Sequence, residues 1–413
     1  MKHQTLTLRS FFTLLTVGLL YVCQGLPMGL AMDFLPTILR ANGADLSLLR
    51  WLPLIGVPWI IKFLWASLVD NYWNATLGKR RSWIIPMQAL VVSLLFLVAM
   101  VGFSGQSISL ILCLFLLMSL VAATQDIATD GLIAERFAEN MLPIANAVQM
   151  AGVLTGFFVG GNVTLMAVNV LGESNGILVM IAIPISGILL SLFMKTEEDS
   201  RQPVENRSKA NLLQFVIRPG AKKLLVISAT SATLTVGGFT LGKLFLIDNG
   251  WSMFEVGQLG ILSGMVTILV GCGGIVLAIF YLGLSAVTKM SVFCALIASA
   301  CWLFIALSSP VLNDLIIYTA VILGAIATGG ISVCVMTFAA TFAAAGRQSG
   351  TDMATVQSAR DTGEMLASSS AITLVALMGY SATFGIWLCL ALCVLVVMRR
   401  AKSPELGISC ATE

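Results

Sequence analysis

Twelve long runs of apolar side chains recur along the chain, at 11–38, 48–69, 82–103, 107–133, 142–169, 176–194, 223–247, 255–282, 286–308, 313–341, 352–378 and 381–398. A hydrocarbon core takes roughly 20 apolar residues per spanning helix. Only helices or closed barrels satisfy their backbone groups there. The runs therefore predict an all-α membrane protein with twelve transmembrane helices. The composition agrees: 58% of residues are hydrophobic and 10% charged, where a soluble domain carries about 25% charged residues. The first run is too long and too continuous for a cleaved signal peptide, so it reads as a retained helix.

The longest polar segment, 195–222, splits the runs into two sets of six. The predicted domains are a first six-helix bundle at 1–194, a linker at 195–222 with a short amphipathic helix around 210–217, and a second six-helix bundle at 223–413. The net charge of +3 says little, but the placement of Lys and Arg says more. If the basic loop Gly78-Lys79-Arg80-Arg81 faces the cytoplasm, eighteen of the 23 basic residues fall on that side and only Arg40 and Arg50 fall outside. This asymmetry predicts cytoplasmic termini. Val148-Gln149-Met150-Ala151 in the fifth run is echoed by Val356-Gln357-Ser358-Ala359 in the eleventh. Two such halves are expected of a transporter with its site between repeats.

Ionisable residues inside apolar runs are costly and mark candidate sites. Lys62 lies in the second run, with Trp59 and Trp65 three residues away on each side. A cation between indoles suits an anionic ligand, although a lysine there can also snorkel towards Asp70. Asp126 and Asp130 sit four apart on one helix face, where like charges repel. They are expected to meet cations, with Lys62, Arg80 and Arg81 nearest by topology, or to share protons. Gln24 stands beside Gly25 and Pro27, a predicted kink in the first run. Asn162 is a possible polar contact, and Asp33 either an interfacial carboxylate or part of the path. Lys243 lies in the seventh run. Arg360, Asp361 and Glu364 lie well inside the eleventh, where Arg360 and Glu364 can pair. Gly152, Gly156, Gly160 and Gly161 form a stripe suited to close helix packing.

Other classes find little support. His3 is the sole histidine and the nine cysteines fall almost all inside the runs, so neither a metal site nor a disulfide set is expected. No cofactor, no nucleic-acid partner and no catalysis are expected, and no nucleotide-binding GxxxxGK[ST] run occurs.

The pattern resembles the major facilitator superfamily. Asp70 followed by Gly78-Lys79-Arg80-Arg81 is similar to the loop motif of that group, with Ala66 where a glycine is usual and with the basic residues arriving later. The stretches IKFLWASLVD and ATQDIATDGL are similar to the branch of muropeptide permeases and acetyl-CoA transporters. The short chain and its GLPMGL start look most like the siderophore permeases of that branch, of the rhizobactin and pyochelin type. The resemblance implies alternating access in a bacterial inner membrane by a monomer. It makes Asp70, Arg80, Arg81 and Asp130 inner-gate residues. Import of a metal-siderophore driven by protons is the expectation, with a muropeptide or another amphipathic anionic metabolite as the alternative. Lys62, Trp59, Trp65, Gln24, Asn162, Lys243 and Arg360 would contact substrate, and Asp126, Asp361 and Glu364 would carry protons.

Overall fold

The computed structural model describes residues 8–41, 52–103, 108–194, 209–308 and 314–400. Among them twelve helical segments follow the apolar runs: α1 (8–41), α2 (52–71), α3 (Arg81–Val101), α4 (Ile108–Arg136), α5 (142–171), α6 (173–193), α7 (Ala221–Asp248), α8 (253–282), α9 (Leu284–Leu307), α10 (Asp314–Ala344), α11 (349–378) and α12 (380–400). Many large apolar side chains stay exposed on them, including Phe96, Met100, Leu117, Phe158, Leu269 and Phe280. That outer surface suits acyl chains, and the chain is a multi-pass membrane protein.

Two helices depart from the expected pattern. The second run, expected as one continuous span, is broken. Pro53, Gly56 and Pro58 start it as a tight turn at Leu52–Gly56, and a second tight turn at Lys62–Leu64 separates Val57–Ile61 from Ala66–Asn71. The last two runs form one continuous helical stretch, Ser349–Arg400, divided only by Gly379 with φ of +79°. Glycine adopts that conformation without a Cβ clash, so the chain turns there with no loop. Most of the linker, 195–208, lies outside the described residues, and a short helix, Leu212–Ile217, follows it.

The chain forms two compact units. The first holds the residues up to Phe215 together with Ala343–Ser358, the start of α11. The second holds Val216–Phe342 and the residues from Ala359 onward. In the first unit, α1 and α5 approach backbone to backbone. A Cβ on Gly152 would meet Gly18 O and Tyr21, and one on Gly156 would meet Val22 O and Gly25. The glycine stripe is thus the packing surface. An apolar core with Leu30, Phe34, Leu95, Phe103 and Phe115 fills the rest. In the second unit Phe245, Trp302, Tyr380 and Phe384 cluster, with Trp302 and Phe384 stacked at 5.8 Å.

Candidate functional site

The tight turn at Lys62 places its side chain in the interior of the first unit, with the residue wholly buried. The ammonium pairs with Asp126 of α4 and donates to Gln357 Oε1 of α11. The Trp59 ring lies 5.3 Å from it. Gln24 of α1, with its nitrogen turned to the carboxylate, donates to Asp126 Oδ1 at 3.0 Å. A buried charge needs such partners, because an isolated one loses its hydration without return. Trp65 points elsewhere: its Nε1 donates to Thr124 Oγ1 at 3.1 Å.

One turn along α4, Asp130 is also wholly buried but meets different partners. Its Oδ1 accepts from Tyr21 OH of α1 and from Gln149 Nε2 of α5, the latter at 2.9 Å. Its Oδ2 has no hydrogen-bond partner. The two aspartates therefore hold different partners despite their shared face. Gln149 and Gln357, the paired glutamines of the sequence echo, each reach one of these polar groups.

A third cluster closes the end of α2. Asp70 Oδ1 lies 2.9 Å from Arg80 Nη2 and 3.2 Å from Lys79 Nζ. Asp70 Oδ2 accepts from Thr351 N at 2.7 Å and Thr351 Oγ1 at 2.8 Å, at the start of α11. Arg80 also grips Glu135 of α4, with Nε to Oε2 at 2.9 Å. Burial pushes the Asp70 carboxyl up, but Arg80, Lys79 and the Thr351 donors outweigh it and hold it at about 2. Gly350 fits against this cluster, where a Cβ would meet Arg80 and Ile127 O. This latch joins α2, the basic loop, α4 and α11.

The remaining sequence candidates fall elsewhere. Arg81 does not join the latch: its guanidinium caps the end of α6 by donating to Met194 O at 2.9 Å and Leu192 O at 3.1 Å. Asp130, read as a gate residue, lies with Tyr21 and Gln149 rather than with Asp70 or Arg80. Asn162 is exposed and donates to Asp33 at 3.1 Å. Lys243, Arg360, Asp361 and Glu364 are half-buried in the second unit. Arg360 and Glu364 approach to 3.8 Å. Sequence reasoning passed over Tyr21, Glu135, Gln149, Thr351 and Gln357. The echo carried a signal for the two glutamines, and Glu135 follows Asp130 by five residues at the end of the same helix.

Comparison with known proteins bears on this arrangement. The family model described as acetyl-coenzyme A transporter 1 matches residues 11–197. A putative transporter, AmpG 4, of Rickettsia felis is 27% identical over 284 residues, covering 64% of this chain and 68% of that protein. The anhydromuropeptide permease of Escherichia coli K12 is 27% identical over 263 residues, covering 62% of this chain and 53% of the permease. The chain spans between 29% and 68% of the length of the curated relatives it matches. The crystal structure of the human organic anion transporter MFSD10 superposes with a TM-score of 0.73 at 18% identity, covering 94% of this chain and 99% of that one. The chain has the major facilitator fold. Its matched first half contains Lys62, Asp126, Asp130 and the latch residues Asp70, Arg80 and Glu135.

Proposed function

We propose that the protein is a secondary transporter that carries an amphipathic anionic metabolite, of the cell-wall sugar-peptide or acyl-coenzyme A kind, across a bacterial inner membrane by alternating access. The observation that carries this reading is the buried Lys62–Asp126 pair held by Gln357. A lysine paired with a carboxylate in the interior of a membrane protein is a charge that an anionic substrate can compete for. Protonation of Asp126 releases Lys62 towards that substrate, which couples a proton to each cycle. Asp361 and Glu364, and the cations Lys243 and Arg360, are second-unit candidates for the same work. Trp59 contributes an aromatic face and Gln24 holds Asp126 in place. The latch of Asp70, Arg80, Lys79, Glu135 and Thr351 acts as the gate, with the basic loop on the cytoplasmic side, as the distribution of Lys and Arg supports.

The sequence resemblance favours siderophore import, whereas the relatives named above carry cell-wall and coenzyme A names. Their names support the anionic-metabolite reading over the siderophore one. The deciding experiment loads the purified full-length protein into proteoliposomes under an imposed proton gradient. Uptake of labelled anhydromuropeptide is measured with acetyl-coenzyme A or a ferric siderophore as competitor, and again with a protonophore. Gradient-dependent uptake blocked by one of the anions supports the proposal. Uptake blocked only by the siderophore returns the substrate to that class, and absence of uptake for all three probes ends this substrate assignment.

A further inference from the structure

Two wide helical turns face each other in the first unit. One, Leu30–Phe34, interrupts α1, and the other, Val159–Val163, interrupts α5. The two pack together. Wide turns of this kind recur at functional sites. Here each presents a polar side chain to the other, and Asn162 Nδ2 donates to Asp33 Oδ2 at 3.1 Å. Glycine makes the meeting possible: a Cβ on Gly161 would overlap the Asp33 carboxylate, and one on Gly29 would run into Phe157 O.

Asp33 Oδ1 and the Asn162 side-chain oxygen are left as acceptors. Asp33 is half-buried and Asn162 exposed. Among the described residues no basic side chain pairs with Asp33. At 1.5 Å per residue, Asp33 lies about 8 Å in from the end of its apolar run at residue 38 and Asn162 about 10 Å in from the end of its run at 169. A carboxylate more than a turn inside an apolar run is costly against acyl chains. This face therefore meets water or a ligand that brings a positive charge. Two side-chain oxygens are few for a hard metal ion, which takes roughly six to eight. They match the donors of an ammonium group, which bonds a carboxylate and an amide oxygen together.

We propose that Asp33 and Asn162 form a subsite for a primary ammonium group on the transported molecule; this rests on the transporter reading and adds a cationic end to its anionic substrate. Lys62 and Asp33 then recognise opposite charges on one zwitterionic, amphipathic ligand.

The test uses the full-length protein in lipid nanodiscs and two probes: an anhydromuropeptide with a free amine and the same molecule N-acetylated. Titration calorimetry should show the wild type binding the free amine roughly tenfold or more tighter, the worth of a charge-assisted hydrogen bond. Asp33→Asn should bring the ratio to about one while binding the acetylated probe as the wild type does. Gly161→Ala, which crowds the carboxylate without removing it, should lower the ratio in the same direction. Equal binding of both probes by the wild type overturns the subsite and leaves the transporter reading standing. Binding of neither probe by the wild type overturns the subsite together with the cell-wall sugar-peptide assignment, which the uptake competition tests separately.

Discussion

The two units of this protein handle charge in opposite ways. The first buries Lys62, Asp126, Asp130, Asp70 and Arg80 within a helical interior and surrounds each with partners from other helices. The second builds its interior from Phe245, Trp302, Phe384 and small apolar residues, and leaves Arg360 and Glu364 half-buried at 3.8 Å. Burial explains the difference in consequence. A charge removed from water depends on its partner for most of its stabilisation, whereas a partly hydrated pair gains little. The first unit is thus where single substitutions should alter both folding and function, and the second is where apolar packing sets stability.

The largest effect is expected at the Lys62–Asp126 pair. Lys62→Met alone strands the Asp126 carboxylate and should cost about 3–5 kcal/mol, read as a lower melting temperature in detergent. The double variant Lys62→Met with Asp126→Asn should recover most of that stability without recovering uptake. A double variant that transports normally would make the pair structural. Next, Arg80→Gln should cost about 2–3 kcal/mol, because Asp70 retains Lys79 and Thr351 as partners. Arg360→Gln in the second unit should cost less than about 0.5 kcal/mol. Equal losses at these two arginines would erase the contrast between the units.

Packing offers a smaller test. Gly156→Ala places a methyl against Val22 O and Gly25 and should destabilise by about 1–3 kcal/mol. Gly257→Ala in α8 meets nothing within 4 Å and should leave stability unchanged or slightly raised. The smallest expected effect is that of pH on the latch. The Asp70 carboxyl, held at about 2, lies below the free side-chain value of about 3.9. Its stabilisation is complete above about pH 4 and is lost as pH falls towards about 2. Melting curves of wild type and Asp70→Asn should therefore keep a constant separation from pH 5 to 8, taken as roughly the neutral range. A separation that closes across that range would place the latch's titration elsewhere.

Much of the candidate site was legible residue by residue. Lys62 and Asp126 stood out because charges are rare in apolar runs, and topology brought the second and fourth helices within reach of each other. The basic loop and Asp70 were legible as a motif. What the pattern could not separate was Asp126 from Asp130. A spacing of four puts both on one face, but their partners come from α1, α2, α5 and α11, and only packing selects which of those reaches which carboxylate. The partners of Arg81 were not legible for a similar reason: it adjoins Arg80 in the chain, yet its guanidinium bonds Met194 O and Leu192 O while that of Arg80 bonds Glu135. The break in α2 was signalled by Pro53, Gly56 and Pro58, though hydropathy alone reads straight through it.

The sequence by itself determined the solvent and the all-helical class, because apolar length is a local property that lipid reads directly. It also marked the residues too polar for their surroundings. Tertiary structure alone decided which of those residues meet, since hydrogen bonds between helices far apart in the chain depend on rotation and register that no single segment encodes. The twin wide turns at Asp33 and Asn162 belong to this second kind: each is a small distortion within one helix, and only their packing brings the two polar side chains together.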